Sequence, residues 1–288
     1  MTLFFSFLCL GVFVAHRYFS YYLPLSFYNL IYIPGSTSML SAITAAFLHF
    51  GYMHLIGNLL YLLVLGRYAE DRLGGLLYAV VFISSAWIGN VAQGIYNTHI
   101  LHYDAMGIIG ASGAVSGILG VFAVRFFMSK LQIAYWAFFP LQAINRAGKV
   151  EIPALLALAF WFLLQSVRGM AQMGGANENV AFVTHISGFL WGAGIALICG
   201  HFGKGRIEAC WQRAKSHMAK GRYFEAQEAL FDFLEMCPED AEAHLALARS
   251  YLVTKNPVKA TEEYQKACDL FLSKLERWRA EDTFREAL

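Results

Sequence analysis

The sequence predicts an all-α protein: a polytopic bundle of six transmembrane helices followed by a small soluble helical domain. Three observations predict it. The 288 residues are 58% apolar, with a mean hydropathy of +0.47, too apolar for an ordinary soluble domain. The charges are segregated: residues 1–202 carry 8 Lys/Arg and 5 Asp/Glu, whereas residues 203–288 carry 14 and 15. The apolar part also divides into stretches of about 20 residues, the length a helix needs to cross hydrocarbon. Two domains follow, 1–203 in the membrane and 204–288 outside it.

The six stretches are 2–22, 43–66, 74–96, 110–129, 151–170 and 181–202. The first opens Met-Thr-Leu-Phe-Phe with neither a basic leader nor a small-residue cleavage pattern, which favours a resident helix over a cleaved signal. The connection from Tyr21 to Leu40 is apolar but interrupted by Pro24, Pro34 and Gly35, so it is expected in the interface rather than across the bilayer. Basic residues orient the bundle. Arg67 and Arg72 follow the second stretch. Arg125, Lys130, Arg146 and Lys149 follow the fourth, and Lys204 and Arg206 the sixth, against only Arg17 and Arg168 on the other side. Both termini are therefore expected in the cytoplasm, as for a multi-pass protein of a bacterial inner membrane.

The tail repeats itself. Ala226 and Ala260, Leu230 and Tyr264, and His217 and Tyr251 are each 34 residues apart, the period of the tetratricopeptide helix–turn–helix unit. Ala226 and Ala260 would sit where paired helices cross, and residues 272–287 would form a capping helix with Leu275 and Trp278 packed inward. A generic pair of amphipathic helical hairpins also fits this pattern. The five cysteines are scattered with no CxxC, which argues against a metal or disulfide framework. Neither cofactor nor metal is expected, and no basic tract suggests nucleic acid.

Polar residues inside the apolar stretches need a reason, because each costs free energy to insert. The fourth stretch begins Gly110-Ala-Ser112-Gly113, with Ser116, Gly117 and Gly120 following at helical spacing. The sixth carries His185, with Gly188 and Gly192 on the same helix face. Small residues at such spacing let neighbouring backbones approach closely, so packing alone accounts for either motif in isolation. Facing each other, however, the two glycine stripes would put His185 beside Ser112. The second stretch holds His49, His54 and Asn58. The last two form an i,i+4 pair of hydrogen-bond donors, of the kind that stabilise a developing oxyanion.

Together, His49…His54…Asn58, Gly110-Ala-Ser112-Gly113 and His185…Gly188…Gly192, in this order and on these stretches, resemble the rhomboid intramembrane serine proteases. The resemblance covers about residues 2–202. It implies a Ser112–His185 dyad without an acidic third member, the serine as nucleophile and the histidine as base and then acid. It implies an oxyanion site from the Ser112 N–H, His54 and Asn58, with His49 supporting that cluster and Gly110 leaving the turn before the nucleophile unobstructed. Gly113, Gly117, Gly188 and Gly192 would serve packing, and Glu70 matches a position that ties the short loop after the second stretch. Loop 171–180, with Gly174-Gly175, would be a mobile cap. The implied partners are transmembrane protein substrates and the lipid bilayer, and the repeat domain would add a cytoplasmic protein partner.

The sequence departs from many relatives in three places. Ser116 replaces an aromatic, Thr184 replaces a small alanine, and residues 17–42 lack a Trp-Arg pair. None of these removes a catalytic group. Two other functions compete. A non-proteolytic relative that binds transmembrane segments would also use this bundle, although it would not need Ser112 and His185 intact. A proton or solute pathway would want acidic groups within the spans, and Glu70, Asp71, Asp104, Glu151 and Glu178 all fall at loops or span ends.

Overall fold

The computed structural model describes residues 1–19, 22, 27–100, 102, 107–139, 144–160, 163 and 182–287. The chain is mostly helical and divides into two compact units, Met1–Phe202 and Gly203–Leu288.

The first unit opens with α1 (Thr2–Phe19). Phe5, Cys9 and Phe13 recur every fourth residue and form its buried stripe, and Phe5 stacks on Phe82 with ring centroids 4.1 Å apart. The opposite face, with Leu3, Phe4 and Phe7, is exposed yet equally apolar. A helix apolar on both its packed and its open face suits lipid rather than water. The same pattern recurs on α5 (Gly75–His99), where Leu76, Val80 and Ile95 are exposed. Among the described residues, α1 and α5 are long and apolar enough to cross a membrane, and two bent helix pairs raise that number to four if each counts as one span.

The expected second helix over 43–66 is in fact broken. A short α2 (Ser41–Thr44) continues as a 3-10 turn, Ala45–Phe47, and the chain then becomes extended at Leu48 and Gly51. It turns through 95° before α3 (Tyr52–Tyr61), a π-helical turn at Leu62–Gly66 and α4 (Arg67–Leu73). His49 therefore lies in the turn ahead of α3 rather than on the helix. Glu70 lies within α4 rather than in a loop, and its carboxylate accepts the backbone N–H of Thr2 at 2.9 Å.

The fourth stretch contracts to α6 (Ser112–Arg125), whose side chains from Gly113 to Phe122 are all buried. It is the central helix of the unit. An all-α chain is also corrected here. Residues Lys130–Phe139 and Ile144–Pro153 pair as an antiparallel hairpin, β1 and β2, with Lys130 opposite Pro153 and Phe139 opposite Ile144. Ile133, Tyr135, Trp136 and Phe138 give β1 the β-branched and aromatic content that favours a strand. The hairpin also displaces the start of the fifth stretch. Helical residues begin at 154, not 151, and run to 160. The rest of that stretch, apart from residue 163, lies outside the described residues, as does the expected cap at 171–180. The sixth stretch is α7 (Phe182–Ile198), closed by Gly200 at φ +71°.

In the C-terminal part the described helices are α8 (His201–Ala219), α9 (Tyr223–Met236), α10 (Ala241–Val253), α11 (Pro257–Ser273) and α12 (Arg277–Ala287). Local chemistry sets the boundaries. Asp240 accepts the Ala243 N–H at 2.9 Å to cap α10, and Pro257 opens α11 behind Asn256. Ala226 and Ala260 are fully buried. Leu275 and Trp278, expected to pack inward, instead point out, 82% and 68% exposed. Leu275 sits at φ +61° in the turn after α11, and α12 turns Ala280 and Thr283 to the core instead.

Candidate active site

Ser112 is the first residue of α6, half-buried, and its N–H occupies a helix position that has no intrahelical acceptor. The turn before it is held from two sides. Ile108 and Tyr32 exchange backbone hydrogen bonds of 2.8 and 3.3 Å, and Gly110 donates to the Ala45 carbonyl at 2.9 Å. These bonds satisfy an irregular stretch that apolar surroundings would otherwise penalise. Asn90, buried on α5, donates to the Ala42 carbonyl at 2.7 Å and so fixes the α2 segment to which Gly110 is tied.

Gly110 requires its lack of a side chain twice over. Its φ is +121°, and a Cβ there would lie 2.6 Å from both Cε1 and Nε2 of His54. The His54 imidazole thus lies directly against the backbone two residues before Ser112. His49 packs edge-on against His54, ring centroids 5.0 Å apart at 63°, with its Nδ1 3.3 Å from the Phe47 carbonyl. Asn58 is buried, and one of its amide N–H groups donates to the His54 carbonyl at 3.0 Å, leaving the other for a further acceptor.

On the other side of Ser112, α6 and α7 meet backbone to backbone. A Cβ on Gly188 would lie 2.3 Å from the Gly113 carbonyl oxygen, and one on Gly192 would lie 1.9 Å from that of Gly117. Gly120 meets the Phe189 carbonyl in the same way, and Thr184 Cγ2 fills the space beside Gly113. His185, only 5% exposed, is one residue from that Thr184 contact, as Ser112 is from Gly113. The helix pair thereby brings the two residues to the same end of the seam. Ser116 is fully buried and donates to the Ser112 carbonyl at 2.6 Å, so its hydroxyl is satisfied within α6.

Three polar residues of α5 escaped notice in the sequence: Asn90, Gln93 and Asn97. Gln93 accepts the N–H groups of Val183 and Thr184 at 2.9 and 3.2 Å, and donates to Asn97 Oδ1 at 2.8 Å. Their signal was available as three amides at i, i+3 and i+7 on one face of an apolar stretch.

Residues 36–202 match the Rhomboid domain family. Over 157 residues the chain is 27% identical to the "Putative rhomboid protease YdcA" of Bacillus subtilis (strain 168), covering 54% of this chain and 65% of that protein. It is likewise 27% identical over 157 residues to the "Rhomboid-like protease 3" of Toxoplasma gondii, covering 54% of this chain and 49% of that protein. The chain thus spans less than two thirds of the length of either relative. The matched region holds α3, α5, α6 and α7, the helices that carry His54, Gln93, Ser112 and His185. The chain belongs to the rhomboid family and is an integral, multi-pass membrane protein.

Proposed function

We propose that this chain is an intramembrane serine endopeptidase that cleaves transmembrane segments of other membrane proteins. Ser112 Oγ attacks the scissile carbonyl while its proton passes to the His185 imidazole. The imidazole returns that proton to the leaving amine, and water then releases the acyl group by the same route in reverse. The Ser112 N–H, His54 and the second N–H of Asn58 receive the oxyanion, His49 supports His54, and Gly110 lets His54 reach this position.

One observation carries this proposal: the start of α6 lies between two close contacts, His54 against Gly110 on one side and Thr184 against Gly113 on the other. These contacts support reading Ser112 as the nucleophile, His185 beside Thr184 as the base and His54 as a donor. The depth of the site has a simple cause. The 14 residues of α6 extend about 21 Å at about 1.5 Å per residue, short of the roughly 30 Å of hydrocarbon. Such a helix cannot reach both membrane surfaces; in this reading its Ser112 end is the submerged one, and water reaches it through a cavity. A peptide bond in an intact helix is hydrogen-bonded and shielded, so substrates are segments that unwind readily.

The same proposal takes six spans, with both termini in the cytoplasm of a bacterial inner membrane, and loop 171–180 as a mobile cap. It reads 204–288 as a tetratricopeptide-like domain that binds a cytoplasmic protein segment. Cleavage of a model single-span substrate in proteoliposomes tests it. Wild type cuts, and Ser112→Ala and His185→Ala fall by about 10³-fold or more. An undiminished cut by Ser112→Ala refutes the nucleophile. A wild-type chain that binds such segments without cutting them favours an adaptor acting through the repeat domain.

A further inference from the structure

We propose that Gln93 is a positioning residue for His185, acting through the first turn of α7. This rests on the Ser112–His185 dyad proposed above. The first N–H groups of any helix lack intrahelical acceptors, and a Ser, Thr, Asp or Asn at the preceding position normally accepts one of them. Here an acceptor comes from another helix. Gln93 Oε1, on α5, takes both the Val183 N–H at 2.9 Å and the Thr184 N–H at 3.2 Å.

Two further contacts fix that cap. Gln93 is 6% exposed and Asn97 4% exposed, and the Gln93 amide donates to Asn97 Oδ1 at 2.8 Å, which sets the carboxamide with its oxygen toward α7. One turn earlier on the same face of α5, a Cβ on Gly89 would lie 2.7 Å from the Thr184 carbonyl oxygen. Thr184 is therefore clamped at both ends of its backbone by α5: its N–H is held by Gln93 and its carbonyl abuts Gly89. His185 is the next residue. Its imidazole leaves a backbone whose height and rotation α5 defines. A displacement of about 1 Å at a reacting group costs on the order of 10²-fold in rate.

The test is steady-state cleavage of a single-span substrate by the full-length protein in proteoliposomes, with kcat and KM measured across pH. Gln93→Leu removes the acceptor. It is expected to lower kcat about 10–100-fold, with KM within about twofold and an altered basic or acidic limb of the pH–rate profile. Gln93→Glu keeps an acceptor for both N–H groups, while Asn97 turns its amide to donate, so it is expected to restore kcat to within a few-fold of wild type. Equal impairment of the two variants, or a kcat for Gln93→Leu within about twofold of wild type, overturns the assignment. If Gln93→Leu does not accumulate, Gln93→Asn carries the test by withdrawing the acceptor one methylene, and a wild-type kcat there overturns it as well. Ser112→Ala and His185→Ala run alongside. Activity persisting in either of them refutes the dyad itself, an outcome distinct from a failure of the Gln93 role.

Discussion

Gly192 and Gly194 stand two residues apart on α7 and have opposite surroundings. A Cβ at Gly192 would lie 1.9 Å from the Gly117 carbonyl oxygen, whereas nothing lies within 4 Å of one at Gly194. Gly192→Ala must push α7 off α6, and overpacking of this kind costs on the order of 1–3 kcal/mol. Gly194→Ala meets open space and gains helix propensity, so stability holds or rises by up to about 1 kcal/mol. Thermal unfolding midpoints in detergent check the pair, and equal shifts would contradict a seam held by backbone contact. Asn58 bears a second residue-scale prediction. One of its N–H groups bonds the His54 carbonyl; in the proposed mechanism the other receives the oxyanion, so Asn58→Ala is expected to lower kcat by about 10²-fold with little change in KM. An unchanged kcat would assign Asn58 to holding the α3 turn alone.

The helices carry different degrees of legibility. α1, α5 and α7 could be read from apolar length, and the facing glycines of α6 and α7 from their spacing, because those signals are local. The break at Leu48–Gly51 could not, because His49-Phe-Gly-Tyr continues an apolar run and only Gly51 hints at a turn. The β1–β2 hairpin is hidden because aromatic and β-branched residues are abundant throughout an apolar chain, so their presence in 130–139 does not by itself mark a strand. The role proposed for Gln93 is hidden in the sequence because its partners, Val183 and Thr184, are backbone groups 90 and 91 residues away. In the second unit, pairing across helices sets an acid limit. Burial pushes the Glu263 carboxyl up, but hydrogen bonds with Lys266 and His244 outweigh it and hold the carboxyl below the usual glutamate range. The Arg249 hydrogen bond holds Glu286 low against burial, with Tyr264 adding to it. Carboxyls lowered in the folded state stabilise it above their unfolded values, and that contribution fades as pH falls through the lowered ones. Hydrogen exchange of the full chain, corrected for intrinsic rates, should show protection of α10–α12 dropping below about pH 4.5. Glu263→Gln with Glu286→Gln should flatten that dependence, and unchanged protection in acid would contradict it.

At the scale of the whole molecule, the chain divides into two compact units with different surfaces. The first exposes apolar side chains on helices whose polar groups turn inward, as a bilayer demands. The second places charges outside a core of Leu230, Leu247, Tyr264 and Phe271. The proposed chemistry belongs to the first unit and draws on residues of helices α3, α5, α6 and α7. The most direct measurement is labelling of membranes with a serine-directed fluorophosphonate, comparing wild type with Ser112→Ala and His185→Ala at matched expression. The predicted result is covalent labelling of wild type, none of Ser112→Ala and strongly reduced labelling of His185→Ala. Wild-type labelling that survives Ser112→Ala would contradict it.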